Sequence, residues 1–306
     1  MKPKRFKTIP EFHRFRGLPA PAHPQISVVD LSLIDLKKVP EVFPVSMVFD
    51  FYMIALKRNF PAKVHYGQNR HDFDEGLMSF IAPGQVFGAE PLPHPRLAPS
   101  GWLLLVHPDF LWNTPMAKGI QRYEYFSYAV HEALFLSEHE EATVNAIIAG
   151  IEREYRSNLD AYSQDIIVAQ LELLLTYAQR FYRRQFLTRK RANHHVLGRL
   201  EALLDERFAD DALARQGPPG VHDVAGALNI SPHYLSELLT VLTGQSTQQH
   251  LHDRLIAKAK EELSTTDRTV GEIAFRLGFG HSQSFSKLFK KKTNQTPLDF
   301  RRSVAF

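Results

Sequence analysis

One stencil of apolar residues occurs twice near the C-terminal end of this 306-residue chain, and it restricts what that end can fold into. Val221, Val224, Ala225 and Leu228 lie at i, i+3, i+4 and i+7, the spacing of one helix face. Val270, Ile273, Ala274 and Leu277 repeat that spacing roughly fifty residues later. A tight connection follows each copy, Asn229-Ile230-Ser231-Pro232 in the first and Gly278-Phe279-Gly280-His281 in the second. Asn and Gly suit the left-handed residue that ends a helix. A second apolar series comes next, with Leu235, Leu238 and Leu239 matching Phe285, Leu288 and Phe289. Ser231-Pro232 places a capping residue before proline at the first helical position. Ser246-x-x-Gln249 and Thr269-x-x-Glu272 have the form of capping boxes. Helix, short turn and second helix with one polar side make a helix-turn-helix unit, and here it is duplicated.

Charge adds little to this. The net charge of +4 permits nucleic-acid binding without requiring it. The positive residues are local, in Arg180, Arg183, Arg184, Arg189, Lys190 and Arg191, and again in Lys287, Lys290, Lys291 and Lys292. The chain has no cysteine, which removes disulfides, thiolate metal sites and a Cys nucleophile together. That composition fits a reducing, cytoplasmic compartment. The basic start has no apolar core behind it and reads as a mobile arm over residues 2–16, not a signal peptide. No apolar run approaches the length of a membrane helix.

Residues from Val196 to the end resemble the DNA-binding domain of the AraC/XylS family of transcription regulators. The resemblance rests on Val224-Ala225-x-x-Leu228-x-Ile230-Ser231-Pro232-x-Tyr234-Leu235-Ser236, on Thr243-Gly244-x-Ser246 and on Arg254-Leu255-Ile256-x-x-Ala259-Lys260. It continues through Glu272-Ile273-Ala274-x-x-Leu277-Gly278-Phe279, Ser284-Phe285-Ser286-Lys287-x-Phe289-Lys290 and Thr296-Pro297-x-x-Phe300-Arg301. Asn294 departs from the glycine usual in the family, but Asn tolerates the left-handed conformation. The resemblance implies double-stranded DNA, RNA polymerase and a second copy of the chain as partners, with a small-molecule effector as the signal. It places DNA contacts at His233, Ser236, Glu237 and Thr240 in the first recognition helix. In the second it places them at Ser282, Gln283, Ser284 and Lys287. Gln can read adenine, Glu can accept from cytosine, and Lys can reach guanine or phosphate. The connecting helix from Thr247 to about Leu263 is a rigid spacer able to set both recognition helices into successive groove segments.

The first third reads as short strands at Val28–Leu31, Val45–Leu56, Leu77–Ile81 and Trp102–Val106, separated by proline and glycine. Helical spacing begins near Ser137 and recurs from Ser163 to Phe186, with Ile167, Leu171, Leu174 and Ala178 on one face and Ser163 as the expected cap. The expected fold is α+β. A cupin-like β-barrel over 1–136 is followed by a helical hairpin for dimerisation over 137–187, a linker over 188–195 and an all-α domain with two helix-turn-helix motifs over 196–306. The barrel part resembles the family's sensor through Phe80-Ile81-x-Pro83-Gly84-Gln85 and Gly101-Trp102-x-Leu104-x-Val106-His107-Pro108-Asp109-Phe110.

Two other readings stay open for the N-terminal half: a metal-dependent cupin enzyme, and a regulator that senses no small molecule. His65, His71, His94 and His107 are available, yet none forms an H-x-H pair with a following carboxylate. His131-Glu132 opens like a zinc motif, but Phe135 stands where its second histidine belongs. With no Walker loop, G-x-G-x-x-G or G-x-S-x-G, no catalytic residue, metal or cofactor is expected.

Overall fold

Side chains alternate across a strand, and that alternation decides how the N-terminal half is layered. The computed structural model describes residues 3–33, 46–58, 76–88, 100–129, 132–157, 160–188, 190–209 and 212–304. The chain divides into two units, Met1–Gln185 and Phe186–Phe306. The first carries the strands β1 (Lys4–Phe6), β2 (Ile26–Asp30), β3 (Ser46–Phe49), β4 (Tyr52–Arg58), β5 (Leu77–Ile81), β6 (Val86–Gly88), β7 (Ser100–Val106) and β8 (Leu134–Phe135). They form a three-stranded sheet ordered β1-β3-β6 and a five-stranded sheet ordered β2-β7-β4-β5-β8. Strands β1 and β3 run parallel; the other pairs are antiparallel.

One face of each sheet contributes to a single core. Phe6, Met47 and Phe49 meet Val29, Met53, Ala55, Leu103 and Leu105, and Phe12 from helix α1 (Ile9–Phe15) enters the same cluster. Phe6 stacks on Phe49 with ring centres 5.6 Å apart and meets Phe12 edge-on at 5.7 Å. The space between the sheets is therefore occupied by side chains. The opposite face of the five-stranded sheet is covered by α3 (Glu138–Arg156) and α4 (Ser163–Thr188), which follow the one-turn α2 (Met116–Gly119). Trp102 Nε1 donates to Asn145 Oδ1 at 2.8 Å, and the Tyr155 hydroxyl accepts from Val28 N–H at 2.9 Å. From α4, Gln185 Oε1 accepts from Phe135 N–H at 2.9 Å. Arg184, near the C-terminal end of α4, pairs at 2.7 Å with Glu140 in the first turn of α3, as antiparallel helices require.

Several expectations need correction. For the expected cupin-like barrel, pairing among the described residues gives two sheets, and closure is not seen among them. The segment expected as a mobile arm is built into the core, because Phe6, Ile9 and Phe12 are fully buried and Arg5 pairs with Asp50 at 2.8 Å. Where one stretch was expected over Val45–Leu56, the described residues from Ser46 form two strands. The break falls at Asp50, whose N–H donates to Phe6 O and whose carboxylate holds Arg5. Ser163 does not cap α4; the Asp160 carboxylate accepts from the N–H groups of Tyr162 and Ser163 instead. His65, His71, His94 and His131 lie outside the described residues. His107 is engaged locally, its Nδ1 accepting from Asp109 N–H at 3.3 Å.

In the second unit α5 (Lys190–Arg207) takes in most of the expected linker. Asn193 is buried there, and its amide donates to Phe186 O, which fixes a segment that looked free in sequence. Then come α6 (Ala212–Gln216), α7 (Val221–Leu228), α8 (Pro232–Thr243), α9 (Thr247–Thr265), α10 (Val270–Arg276), α11 (Ser282–Thr293) and α12 (Pro297–Val304). Both copies of the apolar stencil enter one core. Val224, Ala225 and Leu228 of the first copy and Ile273, Ala274 and Leu277 of the second gather around Leu255 and Ala259 of α9.

Candidate nucleic-acid interface

Local chemistry sets the ends of α8 and α11, the helices expected to read DNA. Asn229, after α7, is left-handed at φ 59°, and Gly278, after α10, has φ 80°. The Ser231 hydroxyl accepts from Tyr234 N–H at 3.2 Å, with Pro232 next. Gly244 and Asn294 close α8 and α11 at φ 77° and 60°, so asparagine fills the glycine position without loss of the turn. Capping boxes form at Ser246 with Gln249 and at Thr269 with Glu272. Each cap of this kind typically contributes about 1 kcal/mol.

Apolar residues then fix the rotation of each helix. In α8, Tyr234, Leu235, Leu238 and Leu239 are buried, which leaves His233 and Thr240 exposed and Ser236 and Glu237 half-buried. In α11, Phe285 and Phe289 are fully buried, which leaves Ser282, Gln283, Ser284 and Lys287 exposed. Six of the eight sequence-derived positions are thus exposed, and Ser236 and Glu237 are half-buried. The eight are not alike chemically. Ser236 Oγ donates to Thr247 Oγ1 at 3.1 Å, and Thr240 Oγ1 donates to Ser236 O at 2.7 Å. These two hydroxyls serve local structure, while Gln283 and Lys287 extend from the face of α11.

Helix α9 joins the two halves. Its 19 residues span about 28 Å at ~1.5 Å per residue. At its start Thr247 receives the Ser236 hydrogen bond, and His250 Nε2 lies 2.8 Å from Thr243 Oγ1, which ties α9 to α8. In its middle Asp253 pairs with Lys292 of α11 at 2.8 Å. Near its end the largely buried Glu262 carboxylate meets Arg268 at 2.6 Å and Arg276 at 3.5 Å. Arg301 of α12 donates to the carbonyls of Leu263 and Thr266, satisfying the end of α9.

Sequence reasoning missed these ties. Lys292 counted there as part of a cationic run, but it is committed to Asp253. Nothing in the local pattern around Thr247, Asp253 or Glu262 signals a partner so far along the chain. Lys290 and Lys291 remain exposed in the last turn of α11, where cations complement the helix dipole.

In the first unit a cavity of about 1170 Å³ runs along the edge of β2 beneath α3, lined among others by His13, Arg58, Trp102, Glu141, Asn145 and Tyr155. Arg58 and Glu141 form an ion pair there, with Glu141 buried. Among the described residues no group of His, Asp and Glu is arranged to hold a metal ion. No helix among them is long and apolar enough to cross a membrane.

Comparison with known proteins bears on the second unit. A family of helix-turn-helix domains matches residues 224–303. The chain is 33% identical over 136 residues to the HTH-type transcriptional activator RhaS of Salmonella schwarzengrund, covering 44% of this chain and 46% of that protein. The RhaS of Salmonella newport is 32% identical over the same length. The chain spans about half the length of the curated relatives it matches. Among solved structures, the C-terminal domain of AraT, a response regulator from Geobacillus stearothermophilus, is 30% identical. That match covers 35% of this chain and 84% of that one at a TM-score of 0.31. ToxT from Vibrio cholerae is 12% identical, with 92% of this chain and 99% of that one covered at a TM-score of 0.30.

Proposed function

Because the C-terminal unit is a helix-turn-helix domain of the AraC/XylS type, we propose that the chain is a sequence-specific DNA-binding transcription regulator. The observation that carries this reading is the pair of recognition helices, each with a polar outer face, tied to one rigid spacer through Ser236–Thr247 and Asp253–Lys292. A monomer then reads two adjacent major-groove segments on one side of the duplex. Gln283 and Lys287 of α11 supply base and phosphate contacts, with His233 and Glu237 of α8 as the second set. Hydroxyl-radical footprinting with the purified full chain tests this. Two protected segments about one helical turn apart are expected, and protection of a single segment rules the reading out.

The first unit is the sensor in this proposal. Two sheets sharing one core support a cupin-like sensor fold. Because aromatic side chains fill the space between the sheets, the effector is assigned to the cavity along β2 and α3. A ligand-induced rise in melting temperature that disappears in Trp102→Ala supports the assignment. A compound that stabilises both proteins equally counts against it.

Dimerisation belongs to the same reading. Ile166 and Leu173 are exposed at 41% and 47% on one side of α4, and Tyr162, just before the helix, is 70% exposed in line with them. An apolar stripe of this kind marks an interaction surface, and a second copy of the chain is its occupant. Light scattering on Ile166→Arg with Leu173→Arg should give a monomer where the native chain gives a dimer. RNA polymerase as a further partner and a cytoplasmic location follow from the regulator reading.

A further inference from the structure

A second cleft lies within the C-terminal unit, with a volume of about 170 Å³. Its lining is mostly apolar, with Gln248 and His252 as the polar side chains. Val221 opens the first copy of the repeat, Phe279 and Leu288 belong to the second, and Leu251 and Leu255 come from α9. His252 is the one titratable group in the lining, and it is pushed toward its neutral form by burial first and by Lys292 next. The cleft is bordered by Pro218 and Phe279, the chain neighbours of Gly217 and Gly278. Those two glycines already touch through their backbones, so the walls cannot collapse inward at that end.

A cavity of this size and lining is attractive to one kind of guest. An apolar cavity of about 150 Å³ in a well-packed protein stays dry and admits benzene. The lining offers water two polar side chains, Gln248 and His252, whereas Phe208 and Phe279 in the same lining offer aromatic contacts to a third ring. The two sides of the cleft belong to different copies of the repeat, and Leu288 sits on the second recognition helix. A guest therefore bears on how α11 is held relative to α7.

We infer that the cleft lined by Val221, Leu251, Leu255, Phe279 and Leu288 is a binding site for a small uncharged single-ring aromatic molecule, and that its occupancy alters DNA affinity. The effect on DNA rests on the DNA-binding reading above; the occupancy does not. The test uses the full chain with toluene as the probe, followed by methyl NMR. Saturable shifts at Val221, Leu251, Leu255 and Leu288, with a raised melting temperature, are expected. Val221→Phe fills the cleft and should abolish the response while circular dichroism stays native; His252→Phe, substituting another lining residue, is the second variant should the first fail to fold. Methyl signals that do not move, or a response retained in both variants, overturns the site. Fluorescence anisotropy against a selected operator supplies the second arm, with an expected change in Kd of about threefold or more on adding toluene. An unchanged Kd at saturating toluene overturns the coupling. Titrating methyl groups in a protein that binds no DNA at all overturns the regulator reading and leaves the site standing.

Discussion

The backbone of Gly217 occupies the place where a side chain on Gly278 would have to go. A Cβ at position 278 would meet Gly217 Cα at 2.5 Å and Leu213 O at 2.6 Å. Both glycines have positive φ, 76° and 80°. The loop that leads into the first helix-turn-helix thus interlocks with the turn inside the second, and neither backbone can retreat without breaking a helix end.

Gly278→Ala should destabilise the C-terminal unit by on the order of 3 kcal/mol, since strain in the left-handed region adds to a backbone clash. Gly280→Ala, two residues on with nothing within 4 Å of its Cβ, should stay within about 0.5 kcal/mol. Urea unfolding of the two variants measures the difference. Equal stabilities would show that the contact is not rigid.

Lys287→Ala and Gln283→Ala should each weaken operator binding by about 1–3 kcal/mol with little change in stability. Ser236→Ala should do the reverse. Its hydroxyl is spent on Thr247, so about 1 kcal/mol of stability is lost with operator affinity nearly kept. Gel-shift titration beside thermal melts separates the two outcomes.

Glu262→Gln removes the charge that Arg268 and Arg276 share at the end of α9. A loss of about 1–3 kcal/mol is expected, together with weaker DNA binding as α10 loses its tie to the spacer. Native melting and native operator affinity in this variant would show that the arginines find other partners.

The first unit should be sensitive to acid through His13. Burial lowers the pKa of its ring below the ordinary 6.5, against the opposing effect of the Pro19 carbonyl. The folded state then binds fewer protons than the unfolded one. Stability is present above the unfolded value and is lost as pH falls below it. Both tryptophans, Trp102 and Trp112, lie in this unit, so their fluorescence reports its unfolding. Between about pH 7.5 and 5 the His13→Phe variant should lose less stability than the native chain; parallel curves would remove His13 from the account.

The sequence was most readable where structure is local. Caps at Ser231, Ser246 and Thr269 and left-handed residues at Asn229, Gly278 and Asn294 depend on neighbours within a few positions, and each formed as its residue type dictates. The N-terminal segment was opaque for the opposite reason. Lys4, Arg5, Lys7, Arg14 and Arg16 make it look like a basic arm, and only contact with Phe49 and Asp50, far along the chain, reveals Phe6 and Phe12 as core. Residues 190–195 looked like a linker because the bond from Asn193 to Phe186 O has no signature in the pattern. At the interface, which residues face outward was legible from the burial of the leucines and phenylalanines. Which hydroxyls are already engaged was not.

The hydrogen bond between Tyr155 and Val28 has a consequence for how copies of this protein can meet. Among the described residues strand β2 ends its sheet, and an end strand offers its unpaired backbone to any other extended chain. The Tyr155 hydroxyl takes up Val28 N–H at 2.9 Å and donates to Val28 O at 3.4 Å, so the middle of that edge is closed to a foreign strand. A single phenol thereby guards this edge against sheet extension, a route that runs toward aggregates, and the dimer proposed above has to form without it.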